Sequence, residues 1–120
     1  MLNKKSYSQR QLKVAELIKA AIADIMKKGK MPDIRLFEAK VTISDVEISP
    51  DLKNVKCLVL NFPGSNLSHK DLIEALENSH GFIRHKLNSM VKLKYSPEIK
   101  FEYDHSFDKA HQIDQLLSQI

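Results

Sequence analysis

Tryptophan is absent from this chain, cysteine occurs once and glycine three times. Each shortage excludes something. A single cysteine rules out an intramolecular disulfide and removes any sign of an oxidising compartment, so a cytoplasmic location is expected. Three glycines leave little room for a phosphate-cradling loop, and neither G-x-x-x-x-G-K-[ST] nor G-x-G-x-x-G occurs. No apolar run approaches the length that spans a bilayer. The basic opening Met1-Leu2-Asn3-Lys4-Lys5-Ser6 lacks the apolar stretch of a signal peptide. The five histidines, His69, His80, His85, His105 and His111, show no H-x-x-x-H spacing with a third partner. His105 stands beside Asp104, but no Ser or Cys is placed as its nucleophile. No catalytic residue or metal site is therefore expected, and no membrane.

What the chain does have is charge in blocks. Residues 1–30 hold eight Lys/Arg against two acids, 31–80 five against eight, 81–100 five against one, and 101–120 one against four. If the first helix and the stretch after Gly81 lie side by side, they form one basic surface that attracts polyanions. The alternative is a set of solvated helix faces, because many soluble proteins of similar pI bind no nucleic acid.

Residues 1–7 read as a flexible basic arm, and 8–120 as a single domain. Ser8 with Gln11 forms a capping box. From there Ala15, Ile18, Ile22 and Ile25 line one face of a helix over about 8–28, with Lys27, Lys28 and Gly29 at its stop. Lys30 to Leu36 reads as a linker. A strand follows in which Ala39, Val41 and Ile43 alternate before the phase shifts to Val46 and Ile48, which requires a bulge at Ser44-Asp45. Ser49-Pro50-Asp51 is a turn. Asn54 to Phe62 is a second strand, apolar on both faces, so it is either covered twice or partly exposed. Cys57 in it reads as a small buried residue. After Pro63-Gly64, Ser68 and Asp71 open a helix to about Ser79, and another runs from about Gly81 to Val91. Glu98 to Tyr103 alternates as a third strand with Ile99, Phe101 and Tyr103 inward. Ser106 caps a last helix striped by Ala110, Ile113, Leu117 and Ile120, with Leu116 alongside. A helix of this kind at the N-terminus could suit an anionic bilayer, but without tryptophan it serves better as cover for the sheet.

The centre of this order is Ser79-His80-Gly81-Phe82-Ile83-Arg84. Apolar periodicity runs on both sides of it, and Gly81 is expected to relax the backbone at the break. Two readings of the joint stand here: a turn that only shapes the core, and a helix start that receives phosphate beside Arg84, Lys86, Lys92 and Lys94. Helix–break–helix next to a small sheet is the layout of the K-homology (KH) type II module, which clamps nucleotides with a GXXG loop. The corresponding residues are Ser79-His80-Gly81, so a true GXXG is missing.

The ordered set of residues resembles the ribosome-binding factor A family from about Arg10 to Leu117. It includes Arg10-x-x-Lys13-Val14-Ala15, then Val41-Thr42-Ile43-Ser44-Asp45-Val46-Glu47-Ile48-Ser49-Pro50-Asp51-Leu52, then Gly81-Phe82-Ile83-Arg84. Leu93-Lys94-Tyr95-Ser96-Pro97-Glu98-Ile99-Lys100-Phe101 follows, and Asp104-His105-Ser106 with Ile113-Asp114-Gln115-Leu116-Leu117 completes it. The resemblance implies an α+β, two-layer KH type II-like domain in the order α-β-β-α-kink-α-β-α, with a three-stranded mixed sheet and helices on one face. The kink is Ala-x-Gly in that family, and Ser79 stands where the alanine would be. A position near the last helix that is often glycine there is Ala110.

The resemblance further implies a non-catalytic assembly factor, with no cofactor and no small-molecule substrate, that binds 16S rRNA in free, immature 30S subunits. It would assist late maturation of the small subunit and 16S rRNA processing, with a role in cold adaptation. The residues expected to meet RNA are Lys4 and Lys5 on the arm, Arg10 and Lys13, the joint Ser79, His80 and Gly81, and Arg84, Lys86, Lys92 and Lys94. The chain is expected to act as a monomer. A second reading is a protein–protein adaptor that uses its basic surface and an exposed sheet edge without touching RNA.

Overall fold

The computed structural model describes residues 4–28, 30–61, 65–106 and 116–117. Its first long element forms where the capping signal lies. Helix α1 spans Gln9–Lys27. The Ser8 Oγ accepts from the Gln11 amide at 3.1 Å, and Gln11 Oε1 accepts from the Ser8 amide at 2.9 Å. Two otherwise unpaired amides at the helix start are thereby satisfied. Ala15, Ile18, Ala21, Ile22 and Ile25 form the buried stripe. Gln11 is buried as well, and its Nε2 donates to the Ile48 carbonyl at 3.1 Å.

Strand β1 spans Thr42–Ile48 and pairs antiparallel with β2, Asn54–Leu60. The register shifts between Ile43 and Asp45. The bulge at Ser44 returns Val46 and Ile48 to the core face, as the change of apolar phase demands. The turn between the strands is held by Ser49 and Asp51: Asp51 Oδ1 accepts from the Ser49 hydroxyl at 2.6 Å and from the Lys53 amide at 3.0 Å. Val55, Cys57 and Val59 are buried, and on the other face Leu58 is covered too while Leu60 is half-buried. Cys57 has no exposure, and burial, with the Asp45 charge adding to it, pushes its thiol up to about 12.

Helix α3, His69–Asn78, starts at Ser68, whose Oγ accepts from the Asp71 amide. Helix α4 is His80–Met90. Strand β3, Glu98–Tyr103, then pairs parallel with β2, giving the order β1-β2-β3. The parallel pairing follows from the α3–α4 crossover, which returns the chain to the end of the sheet where it began. Helix α1 packs on β1 and α4, and both α3 and α4 reach β3. Ile18, Ile22, Leu72, Leu76, Ile83 and Leu87 seal this single layer of helices on the sheet with no exposure. This is the expected α+β mixed-sheet architecture.

Three expectations need correction. The segment after Pro32 is not only a linker: a further helix, α2, spans Arg35–Ala39 and packs on α3. Ala39 therefore belongs to α2 and is buried there, and β1 starts at Thr42. Nor is the N-terminal segment a free arm throughout, since Lys4–Ser6 form a 3-10 turn along β1. Lys4 Nζ donates to the Asp45 carboxylate and the Val46 carbonyl, and the Tyr7 hydroxyl accepts from the Ile48 amide at 3.1 Å.

The third correction concerns the break. Ser79 is the residue between α3 and α4, with φ −100° and ψ 5°. That conformation needs no glycine. Gly81 lies inside the first turn of α4, and a Cβ added there would meet nothing within 4 Å. Tyr103 is half-buried, and its ring stacks on His69. Leu116 and Leu117 are exposed, while Ala110, Ile113 and Ile120 of the expected last helix, like Gly29, Phe62, Pro63 and Gly64, lie outside the described residues.

Candidate nucleic-acid interface

The first two turns of α1 carry Arg10 and Lys13 on the side away from the buried stripe. At the far end of the helical layer, α4 stops at Met90, and Val91 is extended. The chain then passes α1 as Lys92-Leu93-Lys94-Tyr95. The turn between β1 and β2 supplies a third wall. Together they enclose a groove of about 480 Å³ lined by Arg10, Lys13, Lys92, Lys94 and Tyr95, with Leu17, Leu52 and Leu93 among its apolar residues. All four cationic side chains are exposed. No carboxylate among the described residues forms an ion pair with any of them.

Tyr95 is 49% exposed and stands between two lysines. Lys53 Nζ lies 4.8 Å from the ring centroid and Lys94 Nζ 5.4 Å. An aromatic face beside unpaired cations is the combination that receives a base and its phosphates. Asp51 also lines the groove. The Ser49 hydroxyl and the Lys53 amide hold its carboxyl below the usual range. It therefore stays charged and keeps the Ser49–Lys53 turn closed.

The other expected contact residues are placed differently. Arg84 is engaged inside the protein: Nε donates to Ser96 Oγ at 2.8 Å, Nη2 to the Ser96 carbonyl at 3.0 Å, and Nη1 meets Glu98 Oε1 at 3.0 Å. Asn88 Nδ2 donates to the same Ser96 Oγ at 2.7 Å. Arg84 thus clamps α4 to the segment that follows Tyr95, and it serves the groove by fixing the loop that carries Lys92 and Lys94. Lys86 is exposed on α4, its Nζ 5.7 Å from the Phe82 ring centroid. Lys4 is tied to β1, and the side chain of Lys5 lies outside the described residues.

At the joint, His80 is half-buried and Gly81 exposed, but Ser79 has no exposure. Ser79 is therefore withdrawn as a surface contact. Its Oγ does not cap α4. It accepts from the Asp33 amide at 3.3 Å and so ties the joint to the segment before α2. Asp33 accepts from the Arg35 guanidinium at 3.0 and 2.8 Å, and from Asn78 Nδ2 at 3.2 Å. The Arg35 side chain and backbone hold the Asp33 carboxyl well below the ordinary carboxylate range.

The sequence reading singles out neither Tyr95 nor Lys53. The run Lys92-Leu93-Lys94-Tyr95 interleaves basic and aromatic residues and is the signal that marks Tyr95. Nothing local marks Lys53, which arrives through the β1–β2 turn. Among the histidines, His69 stacks on Tyr103 with centroids 3.5 Å apart, and His105 packs edge-on against His69. No cluster of three metal-holding side chains occurs among the described residues. No helix among them is long and apolar enough to cross a membrane.

Comparison with known proteins joins these observations. Residues 10–117 match the family model described as ribosome-binding factor A. The ribosome-binding factor A of Rickettsia felis is 40% identical over 116 residues, covering 97% of this chain and 96% of the relative. The crystal structure of ribosome-binding factor A from Thermus thermophilus superposes with a TM-score of 0.63 at 18% identity, covering 78% of this chain and 94% of that one. A similar match is the Thermus thermophilus homology model fitted into the cryo-EM map of a 30S–RbfA complex, with a TM-score of 0.60 and 17% identity over 76% of this chain and 91% of that one.

Proposed function

This chain belongs to the ribosome-binding factor A family, and from that premise we propose that it is a ribosome assembly factor that binds the immature 30S subunit through 16S rRNA. It acts without catalysis of its own, as a monomer in the cytoplasm, and assists late maturation of the small subunit and 16S rRNA processing, including growth in the cold. The observation that carries this reading is the gathering of Arg10, Lys13, Lys92 and Lys94 round one groove with no ion pair to a described carboxylate, while Arg35 and Arg84 are engaged internally. A related structure fitted as a 30S complex supports the same partner.

In this reading Arg10, Lys13, Lys92 and Lys94 meet phosphates, with Lys86, His80 and Gly81 on α4 as an outer contact. Tyr95 offers a face to a base. Such phosphate contacts position the protein, and the folded shape of rRNA supplies specificity. The adaptor reading has one feature in its favour, the position of β3 at a sheet edge. Exposed Glu98 and Lys100 on that strand discourage the addition of a further strand.

The test is binding to purified 30S subunits across a salt series. Each phosphate that the protein no longer neutralises lowers the log–log salt slope by about 0.7 to 0.9. The double variant Lys92→Ala, Lys94→Ala is therefore expected to lower it by about 1.4 to 1.8 and to weaken binding. An unchanged slope would remove the groove from the interface. Retention on particles whose RNA had been digested would favour the adaptor.

A further inference from the structure

Helix α2 is short but firmly placed. Leu36 and Ala39 enter the core, and Arg35 is engaged by Asp33 at 2.8 Å and Glu74 at 3.4 Å. With this side fixed, the opposite side shows Phe37, which is 70% exposed. Beside it is a recess of about 370 Å³ whose lining includes Phe37, Lys27 and Lys40. Lys27 forms no ion pair with a described residue. An exposed apolar ring on a rigid support, with an unengaged lysine beside it, is complementary to an unpaired base with its phosphate.

The recess lies at the opposite end of α1 from the groove. Lys13 and Lys27 are fourteen positions apart on one helix, about 21 Å at 1.5 Å per residue. At 3.6 residues per turn they emerge on nearly the same side of it. One face of α1 thus joins two basic sites, each with an exposed aromatic ring.

We propose that α2 forms a second RNA contact, in which Phe37 stacks on an unpaired base while Lys27 holds an adjacent phosphate. The inference rests on the reading that the chain binds rRNA. The two contacts, linked by a rigid helix, raise affinity together because binding at one makes the other intramolecular.

Three substitutions at Phe37 test this in binding to purified 30S subunits, with the Lys92→Ala, Lys94→Ala variant measured in parallel. Phe37 is exposed, so these changes should leave the unfolding midpoint nearly unmoved. Base–aromatic stacking predicts that Phe37→Ala and Phe37→Leu both weaken binding, by roughly fivefold to a hundredfold, while Phe37→Trp retains it. If Phe37→Leu binds as the unaltered protein does and only Phe37→Ala is weak, the ring fits an apolar surface of a protein, and the RNA contact is overturned. If all three Phe37 variants bind normally while the lysine pair weakens binding, α2 is not a contact and only this inference falls. If neither set changes binding, the rRNA reading of the groove falls with it.

Discussion

The joint between α3 and α4 and the groove at the head of α1 are both polar and both near basic sequence, yet they use their polar atoms in opposite ways. At the joint almost everything is turned inward. Ser79 Oγ takes the Asp33 amide, Asp33 takes Arg35 and Asn78, and Arg84 takes Ser96 and Glu98. In the groove Arg10, Lys13, Lys92 and Lys94 make no ion pair with a described residue. A cation already bonded to a carboxylate has to break that bond to take a phosphate, whereas an unpaired one gives up only water. The contrast separates a region that sets the shape of the fold from one available to a ligand. Substitutions of the bonded and buried side chains at the joint should therefore change stability, and those of the groove cations should change affinity.

The largest effect expected on this division comes from the core beneath the joint. Ile83, whose amide donates to the Ser79 carbonyl, has no exposure, and Ile83→Ala should lower the unfolding free energy by about 2 to 5 kcal/mol. Replacing Lys92 and Lys94 should change it by less than about 0.5 kcal/mol. Urea unfolding of both variants measures this, and equal losses would erase the distinction.

Asp33 sharpens the comparison through pH. Its folded-state pKa is lowered, the Arg35 hydrogen bonds being the main cause. The stability it supplies is therefore present above its unfolded pKa, about 3.9, and is lost as pH falls through the lower folded value. Asp33→Asn should lower the melting temperature at pH 7, and the difference from the unaltered protein should shrink as pH drops below about 4. A difference constant with pH would mean that the hydrogen-bond geometry, and not the charge, is what the joint requires.

The smallest effect concerns Gly81. It has no left-handed φ, and an added Cβ meets nothing. Gly81→Ala should be neutral or stabilise by up to about 1 kcal/mol. Thermal melting decides this. A marked loss would return the break to the glycine.

What could be read from sequence was what neighbouring residues determine. Ser8 with Gln11, the phase change at Ser44 and the alternation from Glu98 to Tyr103 each specify their own few residues, and each formed where expected. Helix α2 was hidden because five residues cannot hold a helix alone. It exists through Leu36 and Ala39 in the core and through Arg35 against Asp33 and Glu74. The role of Ser79 was hidden in the same way, since its partner Asp33 lies 46 positions earlier. In the groove, the four cations were legible as charge blocks. Their meeting with Lys53 and Tyr95 was not, because it depends on how the β1–β2 turn and the chain after α4 are brought together by the folded sheet.

Lys4, Tyr7 and Gln11 have a consequence for how the molecule behaves among its own copies. The Val46 carbonyl and both backbone groups of Ile48 point away from β2, and these three side chains bond to them. An uncovered outer strand is a template on which another chain can assemble. The first residues therefore act as a protective selvage along β1. Replacing Lys4 and Tyr7 by alanine would leave the core in place while opening part of this row of amides and carbonyls to self-association, so these side chains matter for keeping the protein dispersed at high concentration.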